Sequence, residues 1–151
     1  MKKIYIATDH AGYALKAYVK DFVQELGHDI IDLGPDSADR VDYPDFAKKC
    51  ADAVLGHEGS FGILICGTGI GISIAANKVL GIRAALCHDN YTAKLTRQHN
   101  DANILCFGER VVGKGVIEEM IETFINTEFE GGRHTGRVAK IEGCSFGKNL
   151  G

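Results

Sequence analysis

The feature that most constrains this chain is the alternation of short apolar runs with longer stretches of helical period. Lys3 to Thr8 reads as a buried strand. Tyr13 to Leu26 then carries Leu15, Val19, Phe22, Val23 and Leu26 at helical spacing, and Gly27 follows as the residue suited to a left-handed helix end. His28 to Leu33 is a second strand, closed by Gly34-Pro35. Tyr43 to Leu55 places Phe46, Cys50 and Val54 on one helical face. Phe61 to Cys66 is the most continuously apolar strand, and a helix is expected after it to about Val79. Ile82 to Cys87 and Asn103 to Phe107 complete the strands. Asp89 is a candidate N-cap for the helix between them, and Ile117, Met120, Ile121, Phe124 and Ile125 mark a last amphipathic helix.

Strands that alternate with helices of this length imply βαβ units, a parallel sheet and helices on both faces. The expected architecture is α/β: a three-layer α/β/α, Rossmann-like sandwich on a five-stranded parallel sheet. One domain spans residues 1–151, as the length suggests, and strand order is not legible from the pattern. Glu130 to Gly151 is polar and lacks a core period. It is either a frayed tail or a C-terminal arm that docks on something else.

Composition excludes more than it specifies. Seventeen basic against twenty acidic side chains give a net charge of −3, with no global reason to expect nucleic acid or an anionic membrane. No apolar run approaches the ~20 residues of a membrane span. Met1-Lys2-Lys3-Ile4 runs straight into a strand, unlike a signal peptide, so a cytoplasmic location is expected. The five cysteines, Cys50, Cys66, Cys87, Cys106 and Cys144, form no C-x-x-C pair, which argues against a zinc cage and a disulfide framework. Most are expected to be small buried hydrophobes.

In open parallel sheets, ligands bind beyond the carboxyl ends of the strands. That rule selects Asp9-His10, Cys66 to Gly71, His88-Asp89 and Gly108-Glu109-Arg110. Gly67-Thr68-Gly69-Ile70-Gly71 lies between a strand and a helix, where glycines let backbone N–H groups converge on an anion. No Gly-Lys-Ser/Thr follows, and the Gly-x-Gly-x-Gly spacing is not a full dinucleotide fingerprint. A tight turn without a ligand is the alternative. Cys66, at the end of the strand, is either a core thiol or one activated by the helix N-terminus. His99-Asn100-Asp101 ends the preceding helix, and strand direction alone puts it on the far edge of the sheet. A turn that doubles back would resolve that conflict, as would a site at a subunit boundary. Arg133 and Arg137 share a face if helical and suit either a phosphate or plain solvation.

Taken together, these residues resemble the type B ribose-5-phosphate isomerases and their galactose- and allose-6-phosphate relatives. The stretches that carry the likeness are Ile6 to Gly12, Asp42 to Asp45, Cys66 to Gly71, Ala75 to Lys78, Gly81 to Ala85, His99 to Asn103, Gly108 to Arg110 and Arg133-His134-x-x-Arg137. The resemblance implies an aldose–ketose isomerase of the pentose phosphate pathway, working through an enediolate without cofactor or metal. It implies Cys66 as the base and His99 as the acid that opens the sugar ring. Asp9, Thr68 and Asn100 would hold sugar oxygens, with Asp9 and Thr68 close to the chemistry. Gly67, Gly69, Ile70 and Gly71 would help form an anion hole, and Tyr43 would line the pocket. His10, Arg110, Arg133 and Arg137 would grip the phosphate, with His134 beside them. One branch of the family carries a glutamate base where this chain has Ile72, so Cys66 places it in the cysteine branch. The resemblance also implies a homodimer or dimer of dimers, with the arm reaching into a partner's site. A six-carbon sugar phosphate is the alternative substrate, and a phosphate- or nucleotide-binding module is the alternative without catalysis.

Overall fold

The computed structural model describes residues 1–143. Five strands, β1 (Lys3–Thr8), β2 (Asp29–Asp32), β3 (Phe61–Cys66), β4 (Ala84–Leu86) and β5 (Ile104–Gly108), alternate with helices as the sequence periods require. The helices are α1 (Tyr13–Glu25), α2 (Tyr43–Leu55), α3 (Ile70–Ala76), α4 (Asn90–Asn100), α5 (Lys114–Asn126) and α6 (Arg133–Gly143). All strand pairs are parallel, in the order β2-β1-β3-β5-β4. The chain turns back across the sheet between β1 and β3, so the carboxyl ends of these two strands flank a topological switch point.

Period-two alternation sorts side chains to the two faces. Ile63, Ile65, Leu105 and Phe107 pack with Leu15, Val19, Met120 and Phe124 in one core, under α1, α4 and α5. Leu64, Cys66, Ile104 and Cys106 pack with Cys50, Val54, Ile72 and Ala76 in the other, under α2 and α3. Each fully buried Ile or Leu contributes about 1.5–3 kcal/mol relative to exposure. β3 is buried along its whole length and anchors both layers.

Gly27 takes φ +89° just past α1, and the Asp89 carboxylate accepts from the Thr92 N–H at 2.8 Å, so both expected helix-end signals act as read. Two segments fall short of expectation by three residues each. α3 stops at Ala76 because Lys78 and Val79 turn back through three-residue hydrogen bonds to Ala75 and Ala76. The Asn77 side chain then brackets the backbone of Ala84 through both its amide atoms, at 2.7 and 2.8 Å. Ile82 and Arg83 are taken up by bonds to Val79 and the Asn103 side chain, which leaves only Ala84–Leu86 as strand.

The polar C-terminal stretch forms a helix, α6, that rests on the end of α4 in its own chain; Arg83 and Glu142 pair at 2.8 Å across that contact. Residues 144–151 of the expected arm, Cys144 included, lie outside the described residues. No described helix is long and apolar enough to cross a membrane.

Candidate active site

The carboxyl edge of the sheet gathers the first half of the expected site. Asp9 follows β1 directly and is buried, with its N–H bonded to the Ile65 carbonyl at 3.2 Å. Its Oδ1 accepts from the N–H groups of Ala11 and Gly12 at 2.9 and 3.0 Å, which fixes the carboxylate and turns the chain into α1. Oδ2 makes no hydrogen bond among the described residues. His10 accepts at Nδ1 from the Val41 N–H at 3.3 Å, which leaves Nε2 to carry the proton of the neutral ring.

Cys66 ends β3, paired in register with Gly108 of β5. Its side chain is tucked in at 5 % exposure, and the Gly69 N–H points at the sulfur from 3.1 Å. That approach requires Gly69 to hold φ +80°, and a Cβ there would meet the Phe107 carbonyl carbon at 2.6 Å. Thr68 is exposed, its hydroxyl oxygen accepting from the Ile70 N–H at 3.2 Å. The walls of this loop come from elsewhere in the chain. Arg110 Nη1 lies so close above Gly67 that a Cβ would fall 2.9 Å from it, and the Tyr43 ring covers Gly71 in the same way at 2.7 Å. Backbone bonds from Glu109 to Cys66 (2.9 Å) and from Arg110 to Gly67 (3.0 Å) tie the β5 loop to the β3 loop. Asp9, His10, Tyr43, Cys66 to Gly71 and Arg110 therefore share one edge.

Three other described cysteines, Cys50, Cys87 and Cys106, are buried. Burial pushes Cys50 up to about 12 and Cys87 up to about 11, and Cys106 is raised well above the ordinary value by burial and then by the neighbouring thiols. These three belong to the core.

The second half of the expected site sits at the opposite edge. Arg97 stacks its guanidinium on Phe61, the first residue of β3, at 4.7 Å, so the last turn of α4 lies at the amino end of the sheet. β5 separates the two edges by roughly 13 Å at about 3.3 Å per residue. His99 and Asn100 are therefore not brought to Cys66 within one chain. The conflict noted from strand direction stands, and no turn doubles back to relieve it.

His99 stacks on His134 of α6, centroid to centroid 4.2 Å, and Glu130 lies beside both rings. Asn100 is exposed and lines an apolar groove of about 580 Å3 along the outer strand β4, with Leu86, Tyr91 and Ile141. Arg133 and Arg137 are exposed one turn apart on α6. His134 is buried beneath His99 rather than offered to solvent. His99, Glu130 and His134 could present three donor atoms to a cation, all within 4.8 Å of one another. The rings lie 16° from parallel, however, so their lone pairs run side by side rather than converge.

Residue chemistry alone did not single out two contributors. Glu130 stands in the sequence at the start of a polar tail, and its four-residue spacing to His134 is the available signal. Arg97 is 7 % exposed and bonds the Thr127 and Ala102 carbonyls at 3.0 and 2.6 Å, joining the end of α4 to the segment that leads into α6. A lone arginine in a polar helix gives no sign of that.

Known proteins share this fold. The profile of the Ribose/Galactose Isomerase family matches residues 4–141. Ribose-5-phosphate isomerase B of Escherichia coli K12 is 48 % identical over 149 residues, covering 99 % of this chain and 100 % of that one. The structure of Clostridium thermocellum ribose-5-phosphate isomerase B superposes with a TM-score of 0.93 at 51 % identity, covering 99 % of each chain. The type B ribose 5-phosphate isomerase of Trypanosoma brucei gives 0.92 at 49 % identity over 96 % of this chain and 99 % of its own. The profile match and these identities set aside a binding module without catalysis: the chain is an isomerase and belongs to the ribose/galactose isomerase family.

Proposed function

We propose that this chain interconverts ribose 5-phosphate and ribulose 5-phosphate, in sites assembled from the carboxyl edge of one copy and the His99 edge of another. The observation that carries the proposal is the Gly69 N–H aimed at Cys66 Sγ, at the end of the strand beside the topological switch point. An amide dipole directed at sulfur favours negative charge there, which is what a thiolate base needs. Asp9 and Arg110 stand around it, each supplied by a separate loop.

The chemistry then divides between the two edges. His99 gives a proton to the furanose ring oxygen, the bond from that oxygen to C1 breaks, and the C1 hydroxyl proton passes to Asp9 Oδ2 as the aldehyde forms. The Cys66 thiolate takes the proton on C2. The electron pair moves into an enediolate, whose oxygens face the Thr68 hydroxyl and the backbone N–H groups of the glycine loop. Return of the proton from Cys66 to C1, with the C2 hydroxyl proton passing to O1, gives the ketose, and Asp9 releases its proton to solvent as His99 regains one. Arg110 and His10 hold the phosphate from one copy, with Arg133 and Arg137 from the other. Binding energy far from the reacting carbons thereby orients the sugar. The relatives named as ribose-5-phosphate isomerase B support the five-carbon substrate.

The test is a comparison of kcat/KM for ribose 5-phosphate, allose 6-phosphate and galactose 6-phosphate on purified protein. We expect the five-carbon substrate to lead. A preference for either six-carbon sugar would replace the substrate, and no turnover of any of the three would defeat the proposal.

A further inference from the structure

The His99–His134 stack has an unequal environment. The His134 side chain is 7 % exposed, that of His99 35 %. Glu130 Oε1 lies 3.5 Å from His134 Nε2 and 3.8 Å from His99 Nε2. Two imidazolium rings 4.2 Å apart would repel, so the pair takes up one proton before it takes two. Burial, then His99 and Arg133, hold His134 below the ordinary histidine range, while Glu130 pulls the other way. The remaining charge facing the pair is Arg137 on α6. On α4, Arg97 and Asp101 are engaged with each other at 2.9 Å. His99 is the more exposed ring of the pair. Nε2 is the His99 nitrogen turned to Glu130, and neither ring nitrogen makes a hydrogen bond among the described residues.

We infer that Glu130 is the positioning carboxylate of His99: it holds the imidazolium by Nε2–H and so presents Nδ1–H to the sugar ring oxygen, with neutral His134 as the slab that fixes the ring plane. The inference rests on the reading of His99 as the ring-opening acid. A carboxylate on one imidazole nitrogen selects the tautomer, orients the ring and stabilises its charged form. At 3.8 Å the contact is longer than a hydrogen bond, and such contacts tighten once substrate is bound. The step itself is unchanged: the Nδ1 proton goes to the ring oxygen, the C1 bond to that oxygen breaks, and His99 regains its proton from solvent.

Two assays separate this role from a structural one. Isomerisation of ribose 5-phosphate needs ring opening. Exchange of the C1 proton of ribulose 5-phosphate with deuterated solvent does not, because a ketose phosphorylated on C5 cannot close a furanose ring. For Glu130→Gln we expect kcat on ribose 5-phosphate to fall about 10- to 100-fold, with KM within about twofold. The alkaline limb of the pH profile should move to lower pH, since His99 then loses its proton more readily. Deuterium exchange should persist near the wild-type rate, and Glu130→Asp should recover part of the loss. Equal loss in both assays, or an unmoved pH profile, would overturn the role of Glu130. A wild-type protein that neither isomerises nor exchanges would overturn the functional reading itself, and this inference with it.

Discussion

The two polar edges of the sheet are built in different ways. At the carboxyl edge, backbone anchors the groups around the glycine loop: Asp9 by two amides, Cys66 by the Gly69 N–H, and the Arg110 segment by bonds to the Cys66–Gly67 backbone. At the amino edge, His99 is held by contact between helices separated by more than thirty residues, through one ring stack, a shared carboxylate and the Arg83–Glu142 pair. The first edge is preorganised by strand ends and has little freedom to move. The second depends on charge, and its geometry should respond to pH and salt. In the proposed mechanism, proton abstraction, which tolerates little misplacement, sits on the rigid edge. The proposed ring-opening acid and the two arginines of α6 sit on the compliant one.

Substitutions can break this comparison edge by edge. Cys66→Ala should remove isomerisation by about 10³-fold or more, the scale of a lost base, while circular dichroism and the melting temperature stay close to wild type. Near-normal turnover would remove Cys66 from the mechanism. Gly69→Ala should come next. It forces a side chain into left-handed backbone against Phe107, and we expect both a lowered melting temperature and a loss of about 10²-fold or more in kcat as the anion hole shifts. Unchanged activity there would show that the loop amides are not aimed at the reacting oxygen. Arg133→Ala should act mainly on KM for the phosphorylated substrate, by about 10-fold for one lost charge-assisted contact. A pure kcat effect would place Arg133 at the chemistry instead.

The smallest effect concerns pH. His134 is held below the ordinary histidine range in the folded arm, first by burial and then by His99 and Arg133, so the undocked arm binds more protons. The stabilisation of docking is thus complete above the ordinary histidine range and is lost as pH falls through the folded value. Hydrogen exchange in α6, corrected for intrinsic rates, should be faster at pH 5 than at pH 7.5. The loops around Cys66 should show no such change. Equal responses at the two edges would erase the distinction between them.

The sequence was most legible where structure is local. β1 and β3 declared themselves by apolar runs, the ends of α1 and α4 by Gly27 and Asp89, and the Cys66 loop by glycines between a strand and a helix. β4 was overread, because nothing local says that the Asn77 side chain will close a turn on Ala84. Strand order was illegible: it depends on which helix covers which face, and the amphipathic period records only that one face is covered. The same limit hid the His99–His134 stack. Its members are thirty-five residues apart, and only the docking of α6 on α4 brings them together. The position of His99 on the wrong edge for a one-chain site, by contrast, followed from strand direction alone.

The central claim is that each site needs two chains. Cys66→Ala and His99→Asn variants, each inactive alone, should be coexpressed with different affinity tags and the mixed oligomers purified. In a mixed dimer one site carries both substitutions and the other carries neither. The account predicts that mixed dimers regain about half the wild-type activity per dimer. Mixed dimers as inactive as their parents would contradict it, and would require Cys66 and His99 of the same chain to meet.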